Sequence, residues 1–276
     1  MNITEFENQI IIENLENFNL SDIFDCGQCF RFNKISENEF EGVAFGKYLK
    51  VSQNNNKIFF DTNIKDFENI WRDFFDIDRD YKKIFEELRR DETLKKASDF
   101  CPGVRILKQD PFECLISFII SQNNNIPRIK KIIERLCENF GDEINHNDKK
   151  YYAFPTAEKI AGLKLEDLDV LKSGFRAKYI FDAAKKVASG KINLESVYNM
   201  TLDEGAEYLQ KIKGVGVKIS ACVLLFSYNK LESFPVDVWI KKVLEKYYPS
   251  DFSPRDYFGK YAGIAQEYLY YYERKQ

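Results

Sequence analysis

The spacing of apolar residues changes once along this chain, near residue 64. Before it lie short, aromatic-rich runs at 30–32 (FRF), 39–46 (EFEGVAFG), 48–53 (YLKVSQ) and 57–63 (KIFFDTN). Such runs read as β-strands. Asn54, Asn55 and Asn56 separate the last two, which predicts a hairpin. Past residue 64 the repeat lengthens to 3.6, with apolar residues at 67, 70, 71, 74 and 75 on one helical face. The same repeat predicts helices over roughly 79–91, 112–121, 127–139, 156–162, 165–172, 177–189, 203–212, 217–228, 238–247 and 256–272. Strands followed by helices indicate an α+β fold. We expect an N-terminal antiparallel sheet domain with flanking helices over 1–95, then an all-helical body over 96–276. Within the body, Asp110-Pro111 opens a central helical unit of about 111–200. A helix-hairpin-helix follows at about 203–229, and C-terminal helices at about 237–276.

With 276 residues, 44% of them hydrophobic, the chain can bury a sizeable core. Its net charge of −3 argues weakly against nucleic acid as a partner. Backbone N–H groups and a few arginines can still hold phosphates without a basic composition. No apolar run reaches the length of a membrane span, and the acidic N-terminus lacks the basic-then-apolar pattern of a signal peptide. The expected location is cytoplasmic, and a monomer is the default. Six cysteines are scattered, Cys26 and Cys29 forming the one C-x-x-C pair, and His146 is the only histidine. A zinc site, a Ser–His–Asp triad and an iron–sulfur cluster all lack the residues they need. No cofactor is expected, so any chemistry rests on Lys, Asp, Glu, Tyr or Cys.

The segment 204–248 is the most informative. Gly214-Val215-Gly216 joins two helical patterns. Two glycines let the chain turn tightly and leave several N–H groups open at the next helix start, a site suited to an anion. The pattern alone fits a helix corner that binds nothing equally well. Lys218 follows in the first turn, and nearly everything after it to Phe226 is apolar. A solvated lysine, a phosphate contact or a nucleophilic amine would all fit. An ordinary lysine is neutral about once in 2,500 at pH 7, but a helix N-terminus and partial burial both disfavour the ammonium. Asp237 sits just before the next helical pattern, as an N-cap would. A capping carboxylate is also held rigidly enough to stabilise a developing cation.

Together GVGVKISACV and PVDVW resemble the helix-hairpin-helix DNA glycosylases of the 8-oxoguanine type. FDCGQCFRF (24–32), the segment 102–129, GFRAKYI (174–180) and YAGIAQEYLY (261–270) extend the likeness over nearly the whole chain, in the family's order. It implies a bifunctional DNA glycosylase/AP lyase of base excision repair, acting on double-stranded DNA that carries 8-oxoguanine opposite cytosine. The damaged nucleotide is flipped from the stack. By resemblance Lys218 is the nucleophile that forms a Schiff base, and Asp237 steadies the cationic sugar. The Gly27 carbonyl would accept the N7–H that 8-oxoguanine carries and guanine lacks. Gln266 would read the base edge, Tyr270 would stack on the base where the family often has Phe, and Cys222 and Pro235 would line the pocket. Asn123 would fill the gap left by flipping, Phe175 would wedge the stack, and Arg128 and Arg176 would hold the orphaned cytosine. Gly214, Gly216 and Trp239 would meet phosphates. Carbonyls of Gln210, Ile212 and Val215 could converge on a structural cation that the chemistry does not require. Three residues depart from the family: Lys213 replaces a proline, Trp239 a histidine and Phe175 a tyrosine. Taken without the resemblance, Gly27 reads as a turn between strands, Cys222 as core and the two arginines as surface. Two rivals stay open: a monofunctional alkylated-base glycosylase, and a helix-hairpin-helix module that binds DNA without chemistry. An endonuclease III type enzyme would need the missing cluster.

Overall fold

A computed structural model describes residues 1–276. Six antiparallel strands form the first layer: β1 (Asn2–Phe6), β2 (Gln9–Glu13), β3 (Phe32–Ser36), β4 (Glu39–Ala44), β5 (Lys47–Asn54) and β6 (Lys57–Phe60), in the order β1-β2-β6-β5-β4-β3. The predicted hairpin is β5–β6, and Asn55 in its turn takes the left-handed conformation that asparagine tolerates. Alternation buries one face of the sheet, with Ile10, Ile12, Leu49, Val51, Ile58 and Phe60 inside. Against that face lies a continuous helical run of α2 (Ile64–Asp66), a π turn (Phe67–Trp71) and α3 (Arg72–Phe74). Its 3.6-residue stripe contributes Phe67, Trp71, Phe74 and Phe75 to the same core.

The helical body continues with α4 (Tyr81–Leu88), α5 (Glu92–Phe100), α6 (Pro111–Ser121), α7 (Ile126–Phe140), α8 (Ala157–Ala161) and α9 (Ala177–Ala188). It ends with α10 (Leu202–Leu209), α11 (Val217–Phe226), α12 (Val238–Tyr247), α13 (Pro254–Phe258) and α14 (Ala262–Lys275). Caps set the starts: Asp110, Asn125 and Asp237 each accept first-turn N–H bonds, and Thr201 and Glu204 form a capping box. α11 is apolar nearly all round and therefore buried, packed on α6 and α10. α14 runs through the core against α5 and α12. No helix is long and apolar enough to cross a membrane.

Several elements differ from the reading of the sequence. β1 and β2 join the sheet although only alternation within QIIIE marks them, and the strand expected at 30–32 starts at Phe32. A short helix, α1 (Leu20–Asp25), precedes the Cys26-Gly27 turn. The polar run near His146 forms a small hairpin of β7 (Glu143–His146) and β8 (Lys149–Tyr152), whose residues are exposed or half-buried and leave no apolar pattern. The helix expected at 165–172 is 3-10, and the one expected at 256–272 is interrupted around Gly259.

The sheet core and the helical core meet along the extended segment 102–110. Arg105 is 1% exposed there and donates to the carbonyls of Asn17, Asp76 and Glu16 at 2.7–2.8 Å. Gln28, also fully buried, donates to the Ile23 and Arg105 carbonyls and accepts from the Leu107 N–H at 2.8 Å. Gln109 donates to the Gln28 carbonyl at 2.8 Å. The chain around Gly27 is thereby fixed against the helical body.

Candidate active site

Lys218 owes its position to the hairpin between α10 and α11. Gly214 has φ +86°, and a Cβ there would come within 2.5 Å of the Tyr179 ring, so both backbone and space require glycine. The Lys213 N–H donates to the Asp182 carboxylate at 2.8 Å, and Asp182 also pairs with Lys186. Proline has no N–H to give, which accounts for lysine at a position where the resemblance expects proline. Ile212 accepts the Val215 N–H and closes the turn. Gly216 caps α11 without a side chain and has open space before it, so the first-turn N–H groups face outward. Val217 beside them is 74% exposed.

Lys218 is half-buried, its ammonium 5.1 Å above the Phe118 ring. Asp237 starts α12, with one oxygen accepting from the Trp239 and Ile240 N–H groups at 3.0 and 2.9 Å. Both side chains line one pocket together with Gly27, Phe118, Cys222, Phe226, Pro235, Gln266, Glu267 and Tyr270. Its inner compartment is about 50 Å³, room for one or two waters. This opens into an outer groove of about 380 Å³ that shares Gly27, Phe118, Lys218, Asp237 and Tyr270 and adds Asn123 and Trp239. A second groove of about 380 Å³, between Arg31, Lys130 and Lys150, contains none of the expected site residues.

The wall opposite α11 comes from α14 and the Gly27 loop. Gly27 ends α1 with φ +94°, and a Cβ would stand 3.0 Å from Arg274 Nη1 and 3.2 Å from the Tyr270 hydroxyl. It terminates a helix rather than linking strands. Arg274 ties this corner together: it donates to the Tyr270 hydroxyl at 3.1 Å and to the Asp25 carbonyl. Gln266 and Tyr270 share a face of α14 one turn apart. Gln266 is 4% exposed, and its Oε1 has no hydrogen-bond partner. Burial pushes the Cys222 thiol up to about 11, with the Lys218 cation pulling it back.

The remaining expected residues face outward or brace the outer groove. Asn123 is exposed in the left-handed conformation after α6, and Phe175 is 47% exposed. Arg128 is exposed in the first turn of α7. Arg176 is not a surface residue. It is 3% exposed, stacked 4.5 Å from the Phe175 ring, and donates to the Gln122, Asn123 and Ser173 carbonyls. It therefore holds the Asn123 loop in shape. Trp239 is half-buried, and its ring carries the Lys242 ammonium at 4.5 Å, a cation where the resemblance expects histidine.

Four pocket and support residues escaped the sequence reading: Phe118, Gln28, Arg274 and Glu267. Glu267 gave the plainest signal, a charged residue amid Ile264, Ala265, Tyr268 and Leu269 in a buried helix. It is 2% exposed and its Oε1 is unpartnered. Burial pushes its carboxyl up to about 7, against the Cys26 thiol and the Arg274 cation, which pull it down.

Two family models match consecutive parts of the chain, meeting within α6. The family model for the 8-oxoguanine DNA glycosylase N-terminal domain matches residues 10–115. The model for HhH-GPD superfamily base excision DNA repair proteins matches residues 116–257. A probable N-glycosylase/DNA lyase of Methanothermobacter thermautotrophicus is 31% identical over 230 residues, which span 73% of each chain. The crystal structure of a Clostridium acetobutylicum 8-oxoguanine glycosylase/lyase, in complex with double-stranded DNA containing cytosine opposite 8-oxoguanine, is 42% identical. It superposes with a TM-score of 0.96 over 100% of this chain and 98% of that one. A 3-methyladenine DNA glycosylase of Archaeoglobus fulgidus, 20% identical, shares the fold alone, with a TM-score of 0.75 over 96% of this chain and 98% of that one.

Proposed function

We infer the activity from one premise: this chain belongs to the HhH-GPD superfamily of base excision DNA repair proteins, in its 8-oxoguanine glycosylase/lyase branch. It is a bifunctional enzyme that excises 8-oxoguanine from double-stranded DNA and then cleaves the strand, with cytosine opposite the lesion. One observation carries the assignment of roles: Lys218, Asp237, Gly27 and the unpartnered oxygen of buried Gln266 open into one pocket. Lys218 attacks the sugar C1′ of the flipped nucleotide, and the C1′–N9 electron pair leaves with the base. The resulting Schiff base then breaks the strand by β-elimination. Asp237, held by two backbone N–H groups, stabilises the cationic sugar. Gln266 completes its hydrogen bonds only when a base edge arrives. The Gly27 carbonyl accepts N7–H, whereas guanine would set acceptor against acceptor at a cost of ~1–3 kcal/mol. Arg128 and Phe175 engage the orphaned side, with Arg176 supporting them from below. The enzyme works in the cytoplasm, and on the nucleoid if the cell is prokaryotic.

Borohydride trapping on duplexes with 8-oxoguanine opposite each base tests this. Wild-type protein gives a covalent adduct, strongest opposite cytosine, and Lys218→Gln gives none. Base release without an adduct would replace this reading with water attack through Asp237. Neither release nor adduct would leave only DNA binding.

A further inference from the structure

The pocket holds one ionisable group that the roles above leave unused. Glu267 lies beside Gln266 on α14, lines the inner compartment with Lys218 and Asp237, and has a buried oxygen that no protein group satisfies. A buried carboxyl with one oxygen left unsatisfied is costly. The charged and titratable groups around it are Cys26 after α1, Cys101 after α5, Lys218 and Cys222 on α11, Asp237 at the start of α12, and Tyr270 and Arg274 on α14. The compartment is about 50 Å³. A compartment of that size takes one or two waters, enough to link polar groups on its walls.

We propose that Glu267 is a catalytic proton relay that carries the proton of the Lys218 ammonium to the departing base. This rests on the glycosylase reading. Ionised Glu267 takes one proton from the Lys218 ammonium, giving a free amine and a neutral carboxylic acid. The amine nitrogen forms its bond to C1′ as the C1′–N9 bond breaks and its electron pair goes to the base. Glu267 gives its proton to that base and returns to the carboxylate, leaving a secondary ammonium on Lys218. A nucleophile must lose a proton and a leaving group must gain one, and a single group facing both serves each need. Burial sets the carboxyl near 7, so it exchanges protons in either direction near neutral pH.

The test is single-turnover release of 8-oxoguanine as a function of pH, from about pH 5.5 to about pH 9, for wild-type, Glu267→Gln and Glu267→Leu proteins. The wild-type rate should rise with pH and break near 7, because the neutral acid cannot accept the ammonium proton. Glu267→Gln keeps the shape and the polarity but cannot exchange a proton. It should lose about 10²-fold in rate at pH 8, together with the break. Glu267→Leu should fold and behave the same, and it carries the test if the glutamine variant does not fold. On a pre-formed abasic site, where no base departs, both variants should lose less. A variant that keeps the break near 7 or loses less than about threefold in release overturns the relay and leaves the glycosylase reading intact. An equal loss on the abasic site also overturns it. No release by wild-type protein would overturn that reading, and the relay with it.

Discussion

Two buried glutamines stand on opposite sides of the same pocket wall in opposite states. Gln28, behind Gly27, spends both ends of its amide on the chain itself, bonding to Ile23, Arg105 and Leu107. Gln266, on α14, is equally hidden from solvent, yet its oxygen bonds to nothing in the protein. Buried polar groups are normally satisfied, so the difference separates a residue that builds the fold from one kept ready for a ligand.

The largest effect should come from the satisfied glutamine. Gln28→Leu strands the Leu107 N–H and the Arg105 carbonyl, costing about 2–6 kcal/mol at ~1–3 kcal/mol per orphaned group. Chemical denaturation should show it, and a midpoint equal to wild type would mean water replaces those bonds. Gln266→Leu should leave stability within about 0.5 kcal/mol of wild type or raise it. Its kcat/KM for 8-oxoguanine should fall by the equivalent of ~1–3 kcal/mol, with the preference over guanine unchanged because the two bases share the edge that Gln266 would read. If it melted early instead, the contrast between the two residues would collapse. The smallest effect concerns Glu267. Its folded value near 7 lies above the unfolded value of about 4.3. The folded state thus holds that proton more tightly. The contribution is fully present below about pH 4.3 and is lost as pH rises through about 7. Glu267→Leu should therefore raise the melting temperature more at pH 8 than at pH 5.5, and an equal gain at both would count against a neutral buried acid.

How legible each side was in the sequence follows from the range of the interactions. Periodicity located α6, α7, α9, α11 and α12, because each buries one stripe or, in α11, nearly every side chain. The hairpin glycines, Lys218 and Asp237 were visible because turns, caps and helix starts are local. Gln28 was invisible, since its partners lie 77 and 79 positions away. Arg176 carried no local sign of burial, because the carbonyls that hold it come from a loop more than 50 residues back. β7 and β8 were missed because they bury too little to leave a pattern. Glu267 could have been found, since a carboxylate in a run that is otherwise apolar is itself a signal.

The bonds that fix Gly27 have a consequence in time as well as in space. Gln28 and Gln109 clamp its loop to the helical body across some eighty residues, and Arg274 holds it across 249. The lysine helix has one near support, α10, and one distant support, α6. A local opening of the sheet layer that broke these clamps would loosen the Gly27 loop while α11 stayed packed on α6 and α10. Mild denaturation should therefore relax the preference for 8-oxoguanine over guanine before it abolishes strand cleavage.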